Sequence, residues 1–194
     1  MLMEFFQNIN WIDIILIGVC IRAVFIGVKS GFIVEFFKSI GIVFSVFITL
    51  HYFSALTVLA STQMKFLELP TVAILAFLTL WSLTTLVFKL IREGITLVFS
   101  IQAHPNVDKW GGALISALRG VVVSSMVFYL FLLSYNPVVI KMARNSVSRV
   151  AVSYLSTGIY AGIYKNFVVK FFPDEKISEE ALLVPQFLED KKFK

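Results

Sequence analysis

From Ile9 to about Leu59 the sequence is an oily run whose main interruption is GVKSGFIVE, Gly27 to Glu35. Drawn as one straight helix, that run would be about 75 Å long, against a hydrocarbon core of about 30 Å. The chain must therefore turn back inside it. GVKSGFIVE is where turning back is cheapest. Gly31 can take the left-handed conformation that ends a helix, and Gly27 weakens the helix before it. Lys29 and Lys38 can reach lipid headgroups there. Glu35 falls in the first turns of the next helix, where its charge suits the helix dipole. The stretch thus predicts the end of one membrane helix and the start of a second, with Gly27 and Gly31 as turn residues.

Composition explains why the solvent must be lipid. The chain is 58% hydrophobic with a mean hydropathy of +0.87, above the roughly 45–50% apolar content of soluble domains. Its charges sit in short clusters between apolar runs, as membrane segments require. Four runs are long enough to cross, at about 9–28, 39–60, 71–91 and 111–135. They predict an all-α membrane protein with a four-helix transmembrane domain over residues 1–137. Pro70 stands just before the third span, Asn106 is the expected N-cap of the fourth, and Asn136–Pro137 breaks it. Residues 1–8 carry an acid and no Lys or Arg, so no cleavable leader is expected.

Beyond residue 137 the character changes. Residues 138–172 read as a basic linker and an amphipathic helix, with Leu155, Ile159, Ile163, Phe167 and Phe171 recurring every four positions. Such a stripe suits a helix lying in the interface. A fifth span is the competing reading, because Gly158 and Gly162 suit close packing. Residues 173–194 read as a charged, mobile tail with a short apolar patch at Ala181–Leu188.

Two features inside the spans call for partners. Gly112, Ser116, Gly120 and Ser124 recur every four residues and form a small-residue face that lets another backbone approach closely. Arg119 lies well inside the fourth span, where a charge faces protein or water and is paired. Asp13 and Glu35 are the candidate partners for an ion pair. Snorkelling to the interface and a place on a transport path are the alternatives. Asp108 falls in the first turn of the fourth helix.

Catalysis has little to recruit. His51 and His104 have no Cys, Asp or Glu at metal-ligand spacing, and no serine lies in a nucleophile elbow. No phosphate loop or dinucleotide fingerprint is present. No enzyme activity, cofactor or metal is therefore expected. The net charge of +5 comes from cations flanking apolar segments, which fits anionic headgroups rather than nucleic acid. The 29–38 and 89–110 loops carry slightly more cations than the opposite side and are expected to be cytoplasmic.

NWIDIILIGVCIRAVFIGVKSGFIVEFFKSIG together with NVDKWGGALISALRGVVVSS resembles the colicin V production protein family of bacterial inner-membrane proteins. The family pattern has an aspartate near the start of helix 1, here Asp13. An Arg-Gly-Phe turn and a glutamate follow, matched by Gly31, Phe32 and Glu35. An Asp-Arg pair and a glycine precede helix 4, resembled by Asp108, Lys109 and Gly112, and an Arg-Gly pair inside it by Arg119 and Gly120. Ser30 stands where the family has its first arginine, with Lys29 displaced by one. The resemblance implies a multi-pass protein of the bacterial inner membrane, linked to toxin biosynthesis or secretion and to general envelope homeostasis. Two functions compete. One is a scaffold or accessory factor assembling with itself or other membrane proteins through the glycine–serine face and the C-terminal helix. The other is a small oligomeric channel or transporter with Asp13, Glu35 and Arg119 along a polar path.

Overall fold

In hydrocarbon a chain satisfies its backbone polar groups only by forming helices or a closed barrel, and the apolar runs of this chain are helical. The computed structural model describes residues 10–98 and 105–188. It contains four long helices, α1 (Trp11–Ser30), α2 (Phe32–Gln63), α3 (Leu69–Val98) and α4 (Pro105–Leu132). Each contains a segment long and apolar enough to cross a bilayer. Shorter helices follow: α5 (Pro137–Arg144), α6 (Arg149–Val152), α7 (Leu155–Ile163) and α8 (Glu179–Leu183). α7 runs on through a π turn, Tyr164–Val168, into Val169–Phe171. Among the described residues there is no strand.

The break between α1 and α2 is a single residue. Gly31 has φ +82°, a conformation that a residue with a Cβ rarely adopts. Gly27 differs from its expected part in the turn. It stays helical and sits where α1 crosses α4: a Cβ there would strike the Ser116 side chain and come within 2.7 Å of the Gly112 carbonyl. Its small size serves close approach between helices rather than chain reversal.

α1 packs chiefly on α4, and α2 packs on α3 and α4; α1 and α2 touch little beyond their junction. α4 is thus the central helix. Its Gly112, Ser116, Gly120 and Ser124 all meet α1: Gly120 faces Cys20 and Ala23, and Ser124 Oγ donates to the Leu16 carbonyl at 3.2 Å. The glycine–serine stripe is therefore a helix-packing face, as expected, but the helix it receives is α1 of the same chain rather than another protein. α1 fits there because its own Gly27 and Ala23 are small at matching heights.

Both boundaries of α4 also differ from expectation. α4 begins at Pro105, so Asn106 lies inside the helix rather than at its cap; proline presets the helical φ and has no N–H to lose at a first position. α4 ends at Leu132, before Tyr135, which has φ 49°. Asn136 then caps α5, its side chain accepting from the Val138 N–H at 2.9 Å. His104 lies outside the described residues.

The packed core gathers toward one end of the bundle. Ile12 and Leu16 of α1, Leu50 and Phe53 of α2, Phe77 of α3, and Tyr129 and Leu132 of α4 are all buried there. The segment after α4 completes it. Ala181, Val184 and Leu188, expected in a mobile tail, are 0–2% exposed. Tyr129 donates its hydroxyl to the Ala181 carbonyl at 3.3 Å. α7 also packs with an unexpected face. Ser156, Thr157 and Tyr160 turn inward, while Phe167 and Phe171 of the four-residue stripe are exposed. Ser125 Oγ of α4 ties this segment down, donating to the Val152 carbonyl and accepting from the Ser156 N–H. A hydrophobic period alone does not show which side of a helix meets protein and which meets lipid.

The outer surface is apolar. Ile14, Ile21 and Phe25 on α1 are 62–64% exposed, and Leu83, Leu86, Leu90, Leu114 and Leu118 add to the belt. Patches of this extent on a water-soluble protein would be interaction or aggregation sites; here they are the surface a bilayer covers.

The α1–α4 contact gives a test with an internal control. Gly27→Leu overpacks the crossing and is expected to cost about 1–3 kcal/mol, read as a lower melting temperature in detergent. Nothing lies within 4 Å of a Cβ built on Gly18, so Gly18→Ala is expected to leave stability unchanged or to raise it by up to about 1 kcal/mol.

Candidate functional site

The predicted intramembrane charges Asp13, Glu35 and Arg119 fall in two separate clusters, one at each end of the bundle. At the Gly31 end, Glu35 is fully buried one turn into α2. Its Oε2 lies 2.8 Å from Nη2 of Arg119 on α4, and its Oε1 lies 2.5 Å from Nζ of Lys38. Lys38 also donates to Ser30 Oγ at 2.9 Å. Ser30, the departure from the family's first arginine, is thus an acceptor for the lysine that helps neutralise Glu35. Arg119 sits about 20 Å along α4 from its first residue and reaches the head of α2 because α4 packs against both α1 and α2. Burying Glu35 alone would be very costly; two cations offset that cost.

Asp108 acts beside this cluster. Its Oδ1 accepts from the Phe32 N–H at 2.8 Å, satisfying one of the orphan donors at the start of α2. Its carboxylate also fills the space a side chain at Gly31 would need. The single-residue break is therefore held from outside by the first turn of α4.

At the other end, Asp13 is 1% exposed and does not meet Arg119. Its Oδ1 accepts from Ser146 Oγ at 2.6 Å and the Ser148 N–H at 2.9 Å. Its Oδ2 accepts from the N–H groups of Asn10 at 3.0 Å and Val147 at 3.3 Å. One carboxylate ties the first turn of α1 to the linker between α5 and α6. Ser146 and Ser148 carry no sequence signal for this role: they lie more than 130 residues from Asp13, in a linker without a motif.

A third polar group forms on α2. His51 Nδ1 and Tyr160 Oη lie 3.0 Å apart, and His51 Nε2 lies 2.8 Å from Glu175 Oε1. Tyr160 Oη accepts from the Ser178 N–H at 2.7 Å. Burial raises the Tyr160 hydroxyl above its ordinary pKa, so it keeps its proton at neutral pH. The pattern that satisfies every group has Tyr160 donating to Nδ1 and the His51 Nε2–H donating to Glu175. Sequence spacing could not reveal this cluster, because His51 lies more than a hundred residues from both Tyr160 and Glu175.

These arrangements fasten helices. Asp13, Glu35 and Asp108 are each engaged by donors or cations from other segments, or by the break they cap. Among the described residues no group of three His, Cys, Asp or Glu gathers, and both ring nitrogens of His51 are engaged, by Tyr160 and Glu175.

Removing either half of the buried pair leaves an uncompensated charge. Glu35→Gln or Arg119→Gln is expected to destabilise by about 3–5 kcal/mol, measured by unfolding in mixed micelles. The double variant Glu35→Gln/Arg119→Gln should cost clearly less than the sum of the two, because neither charge is then stranded. Asp13→Ala strands the donors of residues 146–148 and is expected to cost about 1–3 kcal/mol. That loss should appear first as faster proteolysis of residues 137–188.

The family model described as Colicin V production protein matches residues 12–157. That range contains Asp13, Gly31, Glu35, Asp108 and Arg119, the residues that hold the helices to one another. No curated protein and no solved structure matches the sequence. The chain belongs to the colicin V production protein family.

Proposed function

We propose that this protein is a non-catalytic, multi-pass scaffold of the bacterial inner membrane, acting as an accessory factor in toxin production or secretion and in envelope homeostasis. Family membership supports a role in colicin V production, and the four apolar helices support the membrane setting. The observation that carries the scaffold reading is how the intramembrane charges are used. Asp13 accepts four hydrogen bonds from the chain itself. Glu35 is fully buried and flanked by Arg119 and Lys38. A channel would need such groups facing a continuous aqueous path, and these lie in separate clusters at opposite ends of the bundle.

Assembly with a second copy or with other membrane proteins then uses outward faces. The exposed stripe Ile14, Ile21 and Phe25 on α1 is one, and Phe167 and Phe171 beyond α7 form another. Reconstituted into liposomes, the protein is expected to pass no ions or small solutes. A flux that disappears in Arg119→Ala, with oligomeric state unchanged, would favour the channel instead. In cells, photo-crosslinkers at Ile21 and Phe167 are expected to trap discrete membrane-protein adducts; adducts with lipid alone at both positions would remove the support for a scaffold.

A further inference from the structure

At the Gly31 end a cleft of about 220 Å³ opens between α2, α3 and α4. Four of its lining residues are cations: Lys38 on α2, Lys89 and Arg92 on α3, and Arg119 on α4. Among the described residues no carboxylate lines it. Among the described residues, the acids ion-paired with these cations are Glu35, which engages Lys38 and Arg119, and Glu93, within 4 Å of Lys89 and Arg92. Four cations against two carboxylates leave two positive charges over. Arg119 Nε is buried and has no hydrogen-bond partner among the described residues, although a buried guanidinium N–H ordinarily has one.

The rest of the wall is apolar, with Phe37, Ile42 and Phe88. Ile42 and Thr85 are shared with a second hollow of about 330 Å³, lined also by Leu78, Trp81 and Val123. The two hollows follow one another along α3, from Arg92 back to Leu78, a distance of about 20 Å. A cationic mouth at the end of a membrane helix therefore leads into an apolar groove running toward the bilayer interior. An inorganic anion would use the mouth and gain nothing from the groove. A phosphate carrying an acyl chain uses both.

We propose that this site binds an anionic phospholipid, its phosphate held by Lys38, Lys89, Arg92 and Arg119 and one acyl chain laid along Ile42, Leu78, Trp81 and Val123. The phosphate oxygens complete the hydrogen bonding of Arg119 and offset the surplus charge, while Glu35 fixes Arg119 in place. This does not depend on whether the protein is a scaffold or a channel.

The test uses the full chain purified in mild detergent, with retained lipid counted by native mass spectrometry. Phosphatidylglycerol is expected to bind in a saturable one-to-one complex, and phosphatidylcholine much more weakly. Lys89→Gln/Arg92→Gln removes two cleft charges without touching the Glu35 pair and should weaken phosphatidylglycerol binding about 30-fold. Thr85→Phe, which fills the join between the two hollows, should weaken it as well. Lys165→Gln/Lys170→Gln, exposed and away from the cleft, should leave it unchanged. Equal retention of the two lipids, or equal loss in the cleft and control variants, overturns the site. Competition by inorganic phosphate that matches phosphatidylglycerol overturns the lipid and leaves a soluble anion as the ligand.

Discussion

A carboxylate kept from water inside a bilayer has to find its counter-charge in the protein, and Glu35 finds two. Its pairing with Arg119 at 2.8 Å and with Lys38 places α4 against the head of α2. That contact brings Asp108 onto the Phe32 N–H and brings the small residues of α4 alongside α1. Lipid tails provide no hydrophobic drive to bring one apolar helix against another. Close backbone packing and buried polar contacts must do it instead. Asp13, Glu35, Arg119 and Ser124 are used that way.

The two ends of the bundle are built differently. At the Asp13 end, the chain after α4 folds back and fills the space between helices with Tyr160, Ala181, Val184 and Leu188. It is tied down by the Asp13 cluster, by Ser125, and by the bonds among His51, Tyr160 and Glu175. At the Gly31 end no such segment enters among the described residues, and the helices separate around a cationic cleft. One end is closed by protein. The other offers a site to a ligand.

Much of the architecture was legible in the sequence because membrane helices obey a length rule and a charge rule. The four apolar runs, the break beside Gly31, the place of Glu35 in the first turn of α2 and the need of Arg119 for a partner all follow from those rules. The sequence did not distinguish Asp13 from Glu35 as that partner. Both are single acids near a span end, and which one α4 reaches depends on how the helices cross. Gly27 was misjudged for a related reason: glycine suits a turn and a close crossing equally. The 181–188 segment was misread as a mobile tail because five or six apolar residues beside charges look alike whether they find a pocket or not.

What the sequence determined by itself is the solvent and the four long apolar helices, since runs this apolar and this long have no stable alternative to hydrocarbon. It also set the break at Gly31, where only a residue without a side chain accepts φ +82°. The tertiary structure decided what the charges and small residues face. It turned the glycine–serine stripe toward α1, gave Arg119 to Glu35, and sent Asp13 to a linker more than 130 residues away. Those outcomes depend on distances between helices, and no pattern along one chain carries them, because each residue's partner lies on a different segment.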